Sequence, residues 1–304
     1  MPNRIEIEQQ INQVKAAAQD MVRYEYLTKI REHTGNDVIV YAANPNPGRY
    51  VGSLTSIDTW DIQGFMTTLH GMKGESLDLI LHSNGGTLEG AEQIVNYLRA
   101  KYKKIRAIIP QNAMSAATML ACACDEIIMG KQSAIGPTDP QMFFRTPSGM
   151  AGAPAQALLD DFEQAKVDVG SNPNLAPLWV SKIQDYPPGI FTICKNLIEV
   201  AQERVRNWLA KYMFKDEQDA ERKAMEIAQW LNSHSTHKTH GHPISYYEAK
   251  EHGLKVTLLE NDQHLQDMVL SLFHALVVTF DVTDIVKIIE GHNQQRWFIF
   301  APKG

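Results

Sequence analysis

Between Leu77 and Gln141 the chain switches repeatedly between two hydrophobic periods, and this alternation constrains its fold more than any other feature. The runs Leu77-Asp78-Leu79-Ile80-Leu81-His82, Ile105-Arg106-Ala107-Ile108-Ile109 and Glu126 to Met129 are short, and within them Leu79-Ile80-Leu81 and Ala107-Ile108-Ile109 are apolar at successive positions. Strands covered on both faces read this way. A helical pattern from Glu89 to Ala100 separates the first two runs. After the second, a block of small residues, Ala113-Met114-Ser115-Ala116-Ala117-Thr118, begins another helix. Strands alternating with helices imply parallel βαβ units joined by right-handed crossovers. The expected class is therefore α/β, with repeated βαβ units around a parallel sheet.

The flanks extend this reading. Residues 4–33 predict one long helix, in which Ile7, Ile11, Val14, Ala18 and Met21 recur at steps of four and three. Such a stripe suits an oligomer contact or packing on the helix's own domain. Asp37 to Ala42 predicts a strand, and Ser56 opens a helix running to about Met72. The Gly- and Pro-bearing stretch from Phe143 to Pro154 reads as loop, followed by helices at about 155–168, 190–213 and 216–231. A histidine-rich loop, Ser233 to His242, comes next. Ser245 and Glu248 then stand at capping-box spacing, Gly253 ends the helix they start, and Lys255 to Leu259 predicts a strand. One more helix and the strand pair Val286–Ile289 and Trp297–Phe300 complete the chain. The expected division is an N-terminal helix (1–34), a main α/β domain (35–259) and a small C-terminal α/β extension (260–304).

Composition removes several functions. With 304 residues, 44% of them hydrophobic, the chain can bury a substantial core. A net charge of -6 offers no basic footprint, so nucleic acid is not an expected partner. The three cysteines (Cys122, Cys124, Cys194) cannot all pair, and two lie in an apolar small-residue helix, so buried free thiols of a reducing compartment are expected. Met1 to Glu8 shows no apolar signal-peptide core, and the run Met268 to Phe280 is too short to span a bilayer. The expectation is a cytoplasmic protein with no membrane span.

The residues at the turns then suggest chemistry. Acyl transfer requires a nucleophile, a base, and N–H donors aimed at a developing oxyanion. Gly85 and Gly86, directly after the first strand, can turn backbone N–H groups into a cleft because no Cβ obstructs the approach. Ser115 follows a strand at a helix start, where free N–H groups and the positive end of the helix favour negative charge. The N–H of Ala116 is the natural second donor.

Ser83-Asn84-Gly85-Gly86, Met114-Ser115-Ala116 and Ile135-Gly136-Pro137-Thr138-Asp139-Pro140-Gln141 together resemble the ClpP/crotonase superfold, in its signal peptide peptidase A branch. Within that branch the chain is similar to the soluble serine dehydrogenase proteinase family. The resemblance continues through Pro243-Ile244 and Glu248 to Leu254, and so covers roughly residues 35–258. It departs from the family at Asn84, where proline is usual, and at Ala116-Ala117, where two glycines are common. What it implies is a serine endopeptidase acting on peptide or protein substrates, without metal or organic cofactor, in a homo-oligomer. Ser115 is the implied nucleophile.

The base is the open position. The segment Ile135 to Thr138, where the ClpP branch places histidine, has none, and no histidine occurs between His82 and His234. The signal peptide peptidase branch implies a lysine instead. Lys182, before the long helix from Ile190, is the expected base, with Lys166 as the alternative. Such a lysine must be buried or placed near positive charge to offer a neutral amine. Asp139 reads as a loop cap, or as a residue that orients the site. His234, His237, His240 and His242 invite a zinc reading, but the loop contains no acidic residue or cysteine, and a polar surface loop is expected. Two other functions stay open: a non-catalytic scaffold of the same fold, and an acyl-CoA hydratase or isomerase, whose carboxylates would have to be Glu89 and Glu92.

Overall fold

Seven strands form the central sheet, in the order β10-β5-β3-β2-β1-β11-β12. They are β1 (Asp37–Ala43), β2 (Ser76–His82), β3 (Lys104–Ile109), β5 (Glu126–Met129), β10 (Val256–Leu258), β11 (Ile285–Gly291) and β12 (Arg296–Phe300). The first five are parallel, whereas β11 and β12 add antiparallel at the β1 side. The computed structural model describes residues 18–45, 52–147 and 149–302.

The period of two along each strand explains the two cores. Ile39 and Tyr41, Leu77, Leu79 and Leu81, Ala107 and Ile109, and Ile127 and Met129 face one side. Their neighbours Val38, Val40, Ile80, Ile108 and Ile128 face the other. Helices cover both sides, which is why apolar residues follow one another along these strands. The first core takes the helices Leu88–Lys101 and Ala116–Cys122, the end of Ile190–Trp208, and Ala220–Leu231. The second takes the helices Ala18–Thr34 and Gln263–Val282.

The termini depart from expectation. Ile7, Ile11 and Val14 lie outside the described residues, and Met21 is exposed. The face that Ala18–Thr34 buries is instead Val22, Tyr26, Leu27 and Ile30, packed with Val269, Leu272 and Leu276. Arg23, fully buried on that helix, donates from Nε to Glu290 Oε2 at 2.8 Å and from Nη1 to Thr279 Oγ1 at 2.8 Å, tying the helix to β11. The segment expected as a C-terminal extension contributes β11 and β12 to the main sheet. Gln263–Val282 is longer than the run Met268–Phe280 suggested, and its length and composition would suit a membrane span. Most of its apolar positions, however, are packed in the second core.

Two small sheets frame the cleft. β4 (Asn112–Ala113), β6 (Ala134–Ile135) and β9 (Ile244–Ser245) form one, in the order β4-β6-β9. β7 (Gln141–Thr146) and β8 (Gly149–Pro154) form an antiparallel hairpin where a loop was expected. Gly149, at φ +126°, sits at the turn and Pro154 at the strand end, so the residues that suggested a loop close the hairpin rather than break it. Phe144 is buried from this hairpin against Leu158, Ile190 and Cys194, while Phe143 and Met150 point outward. A further helix, Ala176–Ile183, had no counterpart in the sequence reading.

Candidate active site

The end of β2 and the start of the helix Ala116–Cys122 are locked together by backbone. Ser83 N–H donates to Asn112 O at 3.0 Å, and Met114 N–H returns to Ser83 O at 2.9 Å. On the other side of the turn, Ile57 N–H donates to Gly85 O at 2.9 Å and Thr87 N–H to Ile57 O at 2.8 Å. This is a parallel bridge between Ile57 and Gly86, in which the bonds come from the residues flanking Gly86. The N–H of Gly86 itself therefore points the other way, toward the cleft.

Both glycines are required by close approach. A Cβ on Gly86 would lie 2.3 Å from Ile57 N and 2.2 Å from Ile57 O. One on Gly85, at φ +101°, would lie 2.7 Å from Met114 O and from Ser115 Cβ. The two glycines differ in where their N–H groups go, however. The N–H of Gly85 donates to Ser83 Oγ at 3.1 Å, so the expectation that Gly85 supplies an oxyanion donor is corrected. Ala116 is the first residue of its helix, so its N–H has no acceptor within that helix.

Ser115 occupies the turn between β4 and this helix with φ +53°, a left-handed value that costs a non-glycine residue about 1–3 kcal/mol. Ser115 is partly exposed at this strand-turn-helix corner. It makes no capping bond to the helix. Thr118 Oγ1 fixes the corner from behind, donating to Ala113 O at 2.7 Å and accepting from Gly136 N–H at 2.9 Å.

Ser115 opens into a cleft of about 670 Å³. It is lined by Asn84 to Glu89, by the apolar Met119, Leu197 and Ala201, and by Thr138, Pro140, Gln141, Phe143 and His240. Thr138 is buried with an unpartnered Oγ1 among these residues. Beside it, the buried Asp139 carboxylate is fully engaged. His240 Nδ1 lies 2.7 Å from Oδ1, and His234 Nδ1 and Gln141 Nε2 lie 3.3 and 3.0 Å from Oδ2. With Nδ1–H directed at the carboxylate, His240 keeps Nε2 as the basic nitrogen, and the ring borders the same cleft as Ser115.

Neither expected lysine borders that cleft. Lys182 lies on Ala176–Ile183, half exposed, 2.8 Å from Asp161 Oδ2. The Asp161 carboxylate holds its ammonium above the ordinary range, the reverse of what a general base needs. Lys166 pairs with Glu163 at 2.6 Å on an exposed helix face. His82, the other histidine near the turn, is buried, and desolvation lowers its pKa to about 4. His240, read from the sequence as part of a polar surface loop, lines the cleft 125 positions from Ser115, in the segment that leads into β9 and its pairing on β6. The readable signal was Asp139, inside the motif that carried the resemblance.

Two other histidines of this loop belong to a second cluster. His237, His242 and Glu248 place ligand-type atoms within 4.8 Å of one another. Glu248 comes from the helix Tyr246–Glu251, outside the loop that the sequence reading considered. The cysteines are free and buried, and burial pushes the Cys124 thiol up to about 12.

Comparison with known proteins finds similarity over part of the chain. Residues 54–172 match the family described as ClpP-like SDH-type serine proteinase; the matched span holds Gly86, Ser115 and Asp139 but ends before His240. Two uncharacterized proteins of Methanocaldococcus jannaschii, MJ0137 and MJ1495, are 34% and 32% identical over 60% and 59% of this chain. The chain spans about half the length of these curated relatives, 54% and 51%. A solved mutant of the 1510-N membrane-bound stomatin-specific protease aligns over 66% of this chain and 74% of its own, at 13% identity and a TM-score of 0.38. Through the segment 54–172, which carries the Gly-Gly turn and the strained serine, this chain is similar to the ClpP-like SDH-type serine proteinase family.

Proposed function

We propose that this chain is a serine peptidase in which His240 and Asp139, rather than a lysine, activate Ser115. The observation that carries the reading is the 2.7 Å contact between His240 Nδ1 and the buried Asp139 carboxylate at the cleft into which Ser115 opens. Ser115 Oγ attacks a peptide carbonyl as His240 Nε2 accepts its proton. Asp139 holds the imidazole in the competent tautomer and stabilises the imidazolium that forms. The N–H groups of Gly86 and Ala116 receive the oxyanion. His240 then protonates the leaving amine, and a water activated by the same imidazole hydrolyses the acyl-enzyme.

The cleft also suggests what enters it. Met119, Leu197, Ala201 and Phe143 favour an apolar substrate side chain, and the exposed turn 84–87 offers backbone to an extended peptide. A fluorophosphonate probe tests the reading directly. We expect labelling of Ser115, lost in Ser115→Ala and strongly slowed in His240→Ala. Equal labelling of wild type and His240→Ala would reject His240 as the base.

One observation favours a second reading. Glu89 borders the cleft, as a carboxylate of an acyl-CoA hydratase would. Glu92, the other candidate, is tied to Arg204 at 2.9 Å. Turnover of crotonyl-CoA that persists in Ser115→Ala and stops in Glu89→Gln would establish that activity instead.

A further inference from the structure

We propose that His237, His242 and Glu248 form a binding site for a divalent transition metal of the zinc type, and that the bound ion anchors the loop bearing His240. The sequence objection was the lack of an acidic ligand in the histidine-rich loop. The fold supplies one by turning the helix Tyr246–Glu251 back under it, which brings the three ligand-type groups within 4.8 Å. Two imidazoles and a carboxylate are a borderline donor set suited to zinc, leaving the fourth tetrahedral position for water.

Three details point to a ligand. First, His237 Nε2 lies 2.8 Å from the carbonyl of Trp230. An Nε2–H donated there fixes the tautomer and leaves Nδ1 as a lone-pair donor, the outer-shell arrangement that metal-bound histidines use. Second, Glu248 is released from its ordinary structural task. Ser245 Oγ accepts from Glu248 N–H at 3.3 Å, one half of a capping box, but the carboxylate turns to His242 Nε2 at 3.2 Å instead of completing the other half. Third, His237 is buried while His242 and Glu248 are about one-third exposed, so an ion has both a seat and an entry path. Tetrahedral zinc holds its ligands about 3.3 Å apart, given bonds near 2.0–2.1 Å. Small rotations of exposed side chains would close the remaining gap.

Position gives the site its consequence. His240 lies between His237 and His242 in the chain, so one ion bound by both brackets the loop that holds His240 against Asp139. This consequence for catalysis rests on the peptidase reading; the binding itself does not.

The test is zinc titration by calorimetry on the metal-stripped full chain carrying Ser115→Ala, so that binding is read without catalysis. We expect one zinc per chain, weakened at least tenfold in His242→Asn and in Glu248→Gln, and unchanged in His234→Asn. Both informative variants are at partly exposed positions; His237→Ala, which opens a buried site, is not needed. Hydrogen exchange over residues 238–243 should slow with zinc in the parent and not in His242→Asn. No saturable binding, equal affinity in His242→Asn, or a loss confined to His234→Asn, which would move the ion to Asp139, each overturns the proposal.

Discussion

Gly85 and Ser115 touch so closely that the glycine's missing side chain is part of the serine's geometry: a Cβ at position 85 would lie 2.7 Å from Ser115 Cβ. Gly85→Ala must therefore displace the Met114–Ser115 backbone or the turn itself, and it also places alanine at φ +101°. We expect a loss of about 2 kcal/mol or more in a denaturant melt. Labelling of Ser115 should fall by about 100-fold, because a displacement near 1 Å costs that much in a reacting site. Wild-type labelling and stability would contradict the close packing described here.

Asp139→Asn separates orientation from mere packing. The amide keeps the volume but presents N–H to His240 Nδ1, which favours the wrong tautomer. We expect kcat for a peptide substrate to fall by about 10³–10⁴-fold with little change in KM. Asp139→Glu should recover part of the loss, a rescue that a purely structural role would not show. In the same assay Lys182→Ala and Lys166→Ala should stay within about twofold of wild type, since exposed ion pairs contribute little. Loss of activity in Lys182→Ala would restore the lysine dyad.

Lys287 supports the cleft from below. It is fully buried on β11, donating to Ser56 O and to Asp61 Oδ1, both at 2.7 Å, while Tyr41 Oη donates to Asp61 Oδ2 at 2.8 Å. Ser56 precedes Ile57, whose backbone holds the Gly85–Thr87 turn. Lys287→Met should cost about 3–5 kcal/mol, because it leaves the Asp61 carboxylate buried without its cation. The pair Lys287→Met with Asp61→Leu should recover much of that in thermal unfolding. A double variant as unstable as the sum of its singles would mean the two residues are not coupled.

How much of this was legible follows from what each residue answers to. The strands Ser76–His82 and Lys104–Ile109 declared themselves because burial on both faces favours consecutive apolar side chains, as in Leu79-Ile80-Leu81 and Ala107-Ile108-Ile109. Ser115 and the Gly-Gly turn were readable because backbone contact restricts them to small residues. The hairpin Gln141–Pro154 was hidden because Gly149 and Pro154 signal turns whether or not the chain between them pairs. His240 was hidden for a different reason. Its place depends on β9 pairing antiparallel with β6, a tertiary event that leaves no periodicity in a loop of polar residues. Lys182 was chosen for its place before the long helix from Ile190, whereas Asp139 could be read only as a loop cap or an orienting residue, because the histidines it meets lie about a hundred positions away.

His82 gives the last prediction, a pH dependence with a fixed sign. The ring is buried at the end of β2, edge-on to Phe273 with centroids 4.8 Å apart, and its Nε2 has no partner. Its other contact is weak: Nδ1 lies 3.4 Å from Asn112 N–H. Desolvation dominates and lowers the pKa to about 4, against about 6.5 in an unfolded chain. The folded state therefore keeps His82 neutral while the unfolded state takes up a proton below about pH 6.5. The stabilising contribution is fully present above about pH 6.5 and is lost as pH falls toward 4, by on the order of 3 kcal/mol across that window. His82→Phe retains an aromatic ring against Phe273 and removes the titrating group. In urea melts between pH 4 and 7 it should show a shallower fall in stability than wild type. Parallel pH curves for the two proteins would mean that His82 is not protonated differently in the folded and unfolded chains.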